Sequence, residues 1–110
     1  MSRTERRKGA TGELELVRVL KAHGWPRASR TSDGRTQNAR GDFANGPEGV
    51  HLEAKRCEKA QPWQWYAQAL ADSAGTHLEP AVAFRRNRSP WLVIAELEDI
   101  LPLWHMRESA

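Results

Sequence analysis

A single cysteine, Cys57, excludes an intrachain disulfide framework and is compatible with a reducing compartment. Long apolar runs are also missing: the longest, residues 91–95, is far too short to span a bilayer, so no membrane association is expected. The N-terminal segment is basic and polar, with no apolar stretch of the kind secretory signals carry. These absences lead to an expectation of a cytoplasmic protein, in whichever cell expresses it. Internal repeats and low-complexity tracts are lacking too. The region around Gly34 has no phosphate-loop pattern, so no nucleotide cofactor is expected. His23, His77 and His105 have no metal-ligand spacing. At 110 residues, the chain fits one domain over 1–110 and is too short for two.

Hydrophobic residues make up 39% of the chain and charged residues 28%, values suited to a soluble globular protein. Net charge is only +3, but its placement is uneven. Arg3, Arg6, Arg7 and Lys8 stand against Glu5 in a segment, 1–8, that reads as a flexible basic arm. Arg27, Arg30, Arg35 and Arg40 stand against Asp33, and Arg85, Arg86 and Arg88 form a third cluster. The acids gather elsewhere, at Glu96, Glu98 and Asp99. Basic clusters that converge in a fold make a phosphate-binding face; left apart, they are a solvated surface.

Thr11 is a plausible N-cap for a helix over 12–23 that Gly24 ends, with Leu16, Val17 and Leu20 as its apolar stripe. Glu13 precedes those positions by three, four and seven residues, so an acid heads the buried side. Residues 25–31 read as an edge strand, because Pro26 cannot sit in a sheet interior. Residues 32–40 read as a mobile loop. A short strand at 42–44 and a turn at Asn45-Gly46-Pro47 lead to an alternating strand over 50–55, and the two strands read as a hairpin. His51, Glu53 and Lys55 then share one face, with Val50, Leu52 and Ala54 on the other. Pro62 opens a second helix running to about 74, with Trp63, Ala67, Leu70 and Ala74 as its inner stripe. Strands over 80–84 and 91–95 follow. A short helix over 98–103, closed by Pro102 and packed through Ile100, Leu101 and Trp104, ends the chain. The expected fold class is α/β, a single domain with a central mixed β-sheet flanked by helices, in the order α-β-β-β-α-β-β plus a short C-terminal helix.

Phosphodiester hydrolysis needs a nucleophilic water, charge neutralisation at phosphate and help for the leaving oxygen. A hard divalent cation held by carboxylates can meet all three needs. Glu53 and Lys55 project from one strand face, and a hairpin would set Asp42 beside Glu53. Glu13 can reach the same place if its helix packs on the sheet. A lysine among carboxylates offsets their repulsion, and can orient the water or stabilise charge developing on phosphate. Each residue has a plainer alternative: a turn at Gly41-Asp42, a helix N-terminal acid at Glu13, a solvated ion pair at Glu53 and Lys55.

The set Glu13 … Gly41-Asp42 … Glu53-Ala54-Lys55 resembles the PD-(D/E)xK nuclease superfamily, and more narrowly the archaeal-type Holliday junction resolvases and their phage-encoded relatives. The opening Arg7-Lys8-Gly9-Ala10-Thr11-Gly12-Glu13 is similar to the start of that group, and residues 84–93 are similar to the strand-turn-strand of phage-type members. The likeness runs over roughly residues 7–104, with Gly rather than Pro before Asp42. It implies a restriction-endonuclease-like fold and, should the chain be phage-encoded, residence in the host cytoplasm. It further implies that Glu13, Asp42 and Glu53 are catalytic and hold Mg²⁺, which Mn²⁺ can replace. The backbone carbonyl of Ala54 is a further ligand, and Lys55 is the catalytic lysine. Gln68 falls where such nucleases carry a polar residue near the site; an exposed helix glutamine is the plainer alternative. Ser29 or Ser32 matches the resolvases' loop serine.

The implied function is an Mg²⁺-dependent endodeoxyribonuclease that cleaves four-way DNA junctions with paired cuts as a homodimer, one site per subunit. DNA contacts are expected from Arg3, Arg6, Arg7, Lys8, Arg30, Ser32, Arg35, Arg40, Gln68, Arg85 and Arg86. One alternative is a nuclease of the same fold acting on linear, nicked or single-stranded DNA. Another is a DNA-binding module without catalysis, and a third is a basic domain that binds a protein partner. Trp63 and Trp65 could stack on exposed bases or line a dimer contact.

Overall fold

The structure, a computed structural model, describes the backbone of residues 3–33 and 38–110 and the side chains of 10–32 and 38–110. The first helix, α1 (Arg3–Ala22), starts well before the expected cap at Thr11, so residues 3–8 of the expected arm are helical turns. Gly9 and Gly12 each cost a helix interior about 1 kcal/mol, too little to stop it. Gly12 also has a positive reason to be there. A Cβ at that position would lie 2.7 Å from Arg56 Cβ, so a bare backbone lets α1 press on the strand beneath. Leu16, Val17 and Leu20 are buried on that side, as their spacing predicts.

Two three-stranded sheets follow. The smaller has the order β1-β3-β2, from β1 (Ser29–Arg30), β2 (Ala39–Arg40) and β3 (Phe43–Ala44), all antiparallel. The larger has the order β4-β5-β6, from β4 (Val50–Arg56), β5 (Glu79–Arg85) and β6 (Leu92–Ala95). β4 and β5 are parallel and β5 and β6 antiparallel, so the central sheet is mixed, as expected. Ala28, Phe43, Leu52, Ala81 and Ala83 join the α1 stripe in one core on one face of this sheet. Val82 joins Trp65 and Ala69 in a second core on the other face.

The expected hairpin between 42–44 and 50–55 does not form. β3 turns back on β2 instead, pairing Arg40 with Phe43, so Gly41 and Asp42 are the two residues of a tight turn. Gly41, at φ +81°, supplies the positive φ that such a turn needs at its first place. The turn meets β4 through one parallel bridge between Gly41 and Leu52. β4 takes its main partner from across the crossover helix, because seven parallel pairs with the apolar β5 outweigh a short antiparallel match.

That crossover helix is α2 (Pro62–Ser73), with Pro62 in its first turn. Its buried residues are Trp65, Ala69 and Ser73, not the expected stripe. Trp63 is 83% exposed and Leu70 47%. The small side chains at 69 and 73 let the helix approach Val82, and this close fit outweighs burying the larger Leu70. The last helix, α3 (Leu97–Ser109), is also longer than expected and has no buried residue. Pro102 lies inside it. Proline removes the hydrogen bond to the carbonyl of Glu98, but Glu98 is exposed and water can satisfy that group. Leu101 and Trp104, expected to pack inward, are 46% and 53% exposed. Among the described residues no helix is long and apolar enough to cross a membrane.

Candidate active site

Asp42 is held from three directions. Its N–H donates to Leu52 O at 2.9 Å, and its carbonyl accepts from the Thr31 N–H at 2.9 Å. Its Oδ2 accepts the Ala54 N–H at 2.9 Å. Thr31 Oγ1 adds a bond to the Gly41 carbonyl at 3.0 Å, so the turn is clamped between the small sheet and β4. The carboxylate therefore lies against the β4 backbone next to Glu53, although the route there is a turn tip rather than a strand. In a strand the N–H and C=O of one residue point to the same edge. The carbonyl of Ala54 thus faces the edge where Asp42 sits.

Glu53 is buried, with a side chain only 9% exposed, and its Oε2 has no hydrogen-bond partner. Burial chiefly, then the Asp42 charge, push its carboxyl up to about 7, with Asp72 adding and Lys55 opposing. Burial likewise raises Asp42, against the Ala54 N–H, Lys55 and His51. Two neighbouring carboxyls that burial raises in this way form a ready site for a divalent cation, whose charge offsets that penalty. The donor set fits such an ion.

Lys55 shares the Glu53 face, and its Nζ donates to Gln68 Oε1 on α2 at 3.3 Å. Gln68 is thus placed at the lysine, and the same helix brings Asp72, which sequence reading missed. Ligand atoms of His51, Glu53 and Asp72 lie within 4.8 Å of one another. Asp72 stands seven residues beyond Trp65 on α2, and the expected phase of that helix gave no cue to it.

Glu13 Oε1 accepts from Arg30 Nε at 2.9 Å. Of the expected DNA contacts, Arg30 is therefore engaged with Glu13. Arg40 turns inward, donating from a terminal guanidinium nitrogen to Gly46 O at 2.8 Å. Arg85 reaches Glu15 at 3.3 Å and stacks over Trp91 at 6.0 Å. Arg56, which sequence reading passed over, also reaches Glu15, at 3.4 Å. Arg86 and Ser32 are exposed, while Ser29 Oγ is buried. The side chains of Arg3, Arg6, Arg7, Lys8 and Arg35 lie outside the described residues. Trp65 packs against Phe84 at 5.5 Å in the core, whereas Trp63 lines an open pocket of about 500 Å³ with Tyr66 and Ile94.

A mixed sheet with helices on both faces, Glu53 and Lys55 on one face of β4 and Asp42 in the turn held against that strand match the pattern of a PD-(D/E)xK nuclease. The family model described as "Phage putative PDDEXK endonuclease" matches residues 4–108, and the chain belongs to that family. Among solved structures it is similar to the Holliday junction resolvase Hjc of Archaeoglobus fulgidus, at 22% identity and a TM-score of 0.55. The match covers 80% of this chain and 72% of that one, and shows a shared fold. No curated protein matches the sequence.

Proposed function

We propose that this endonuclease is Mg²⁺-dependent and cuts branched DNA, four-way junctions foremost, as a homodimer making paired cuts. The observation that carries the catalytic part is the clamp on Asp42, which fixes its carboxylate beside Glu53 and the Ala54 carbonyl, with Lys55 on the Glu53 face. Asp42, Glu53 and the Ala54 carbonyl would hold the cation. When bound, the cation supplies an acidified water and neutralises phosphate charge. Lys55 orients the attacking water and, with its ammonium, stabilises charge gathering on the phosphate. Gln68 restrains Lys55 in that position. Glu13 contributes through Arg30, whose guanidinium it orients near the strand that leads to the site.

The branched substrate rests on the likeness to the archaeal resolvase. The dimer is supported by apolar surface. Leu92 and Val93 on the edge strand β6 and Leu97, Leu101, Leu103, Trp104 and Met106 on α3 are all large and exposed. A second copy related by a two-fold axis would cover such a face and supply the second cut. Cleavage of a synthetic four-way junction should be compared with that of its duplex arms in Mg²⁺. Cutting confined to the junction is expected. Equal rates would replace this reading with a nuclease acting on linear, nicked or single-stranded DNA, and binding without cutting would make the chain a DNA-binding module.

A further inference from the structure

We propose that His51, Glu53 and Asp72 form a second cation site that shares Glu53 with the first and prefers Mn²⁺ to Mg²⁺. The three side chains come from two elements, β4 and α2, and their ligand atoms fall within 4.8 Å of one another. His51 Nε2 and Glu53 Oε1 are 3.9 Å apart. Ligands on opposite sides of an octahedral ion with bonds of about 2.1 Å sit about 4.2 Å apart, so an ion fits with small side-chain adjustments.

A second observation points to a ligand. The His51 side chain is nine-tenths buried, and its Nε2 has no hydrogen-bond partner. A bare buried polar atom costs roughly 1–3 kcal/mol, and a cation bound at His51 Nε2 removes that cost. Asp72 is exposed and gives the site an opening to solvent. The carboxylate of Glu53 has two oxygens, which lets it serve the Asp42 side and the His51 side at once. An imidazole nitrogen sets the preference: Mg²⁺ takes oxygen ligands in strict octahedral geometry, and a first-row transition ion such as Mn²⁺ accepts a mixed nitrogen and carboxylate set more readily.

The sharing of Glu53 rests on the nuclease reading above, but the test reads binding. The untagged full chain is titrated with Mn²⁺ without DNA, followed by electron paramagnetic resonance and its nitrogen-14 echo modulation. Two Mn²⁺ per chain are expected, with nitrogen modulation that disappears in His51→Ala along with one ion. Asp72→Asn, at an exposed position that leaves the core untouched, should weaken that same ion at least tenfold. Asp42→Asn should lose the other ion and keep the modulation. One Mn²⁺ in the wild type, or modulation that survives His51→Ala, overturns the proposal. Wild type that binds one Mn²⁺ yet cuts DNA in Mg²⁺ defeats the second site alone. Two ions bound with no cleavage in either metal defeats the nuclease reading alone.

Discussion

Gly41 has no substitute in its position. Its φ is +81°, and a Cβ there would lie 2.3 Å from the Leu52 carbonyl oxygen. Gly41→Ala is expected to destabilise the protein by about 2–4 kcal/mol and to displace Asp42, measured by urea unfolding and by loss of cleavage. Glu53 makes the opposite trade. Its carboxyl stands at about 7 in the folded metal-free protein, against an ordinary 4.5. The folded state therefore binds the extra proton between those values, and stability falls as pH rises from about 4.5 to 7. Glu53→Gln removes that cost: in EDTA at pH 8 it should unfold at higher urea, by about 1–3 kcal/mol, while cleavage is lost. Asp42, Glu53 and Lys55 were legible because alternation along one strand and a glycine before an acid are local signals. Asp72 was not, since an exposed helix acid carries no mark until the rotation of its helix is known.

That rotation is where element-scale reading failed. Trp63 and Leu70 carry more apolar surface than Ala69 and Ser73, so sequence weight favours the wrong stripe of α2. Contact with the sheet is decided by how closely the helix can approach, and Ala69 is fully buried against Val82. Ala69→Leu should overpack this contact and cost about 1–3 kcal/mol. Ala67→Leu, at an exposed position, should stay within about 0.5 kcal/mol, and equal losses in thermal melts would restore the expected phase. The hairpin was misread for a related reason. Two short apolar runs and a turn fit an antiparallel pair, but pairing is settled by the partner brought back across the crossover helix. The α1 stripe, the position of α2 and the strands β5 and β6 were legible because their periods are strong and their ends carry glycine or proline.

At the scale of the molecule, the α/β class and the mixed sheet were legible, while the division into two sheets was hidden in strands of two residues. The exposed apolar helix α3 gives a prediction about assembly. Leu101→Lys with Trp104→Lys should leave the fold intact, with an unchanged circular dichroism spectrum, and shift sedimentation to a monomer. Paired cutting should give way to single nicks, and a dimer that persists would move the contact elsewhere. Among the described residues, strand pairing between the two sheets is one bridge, Gly41 to Leu52, with Asp42 on one side and Glu53 on the other. An ion ligated by both would act as a rivet between the halves of the protein. Loading the site should then slow hydrogen exchange at the Asp42 and Ala54 amides, so the unloaded enzyme is looser at the very seam where DNA must be cut.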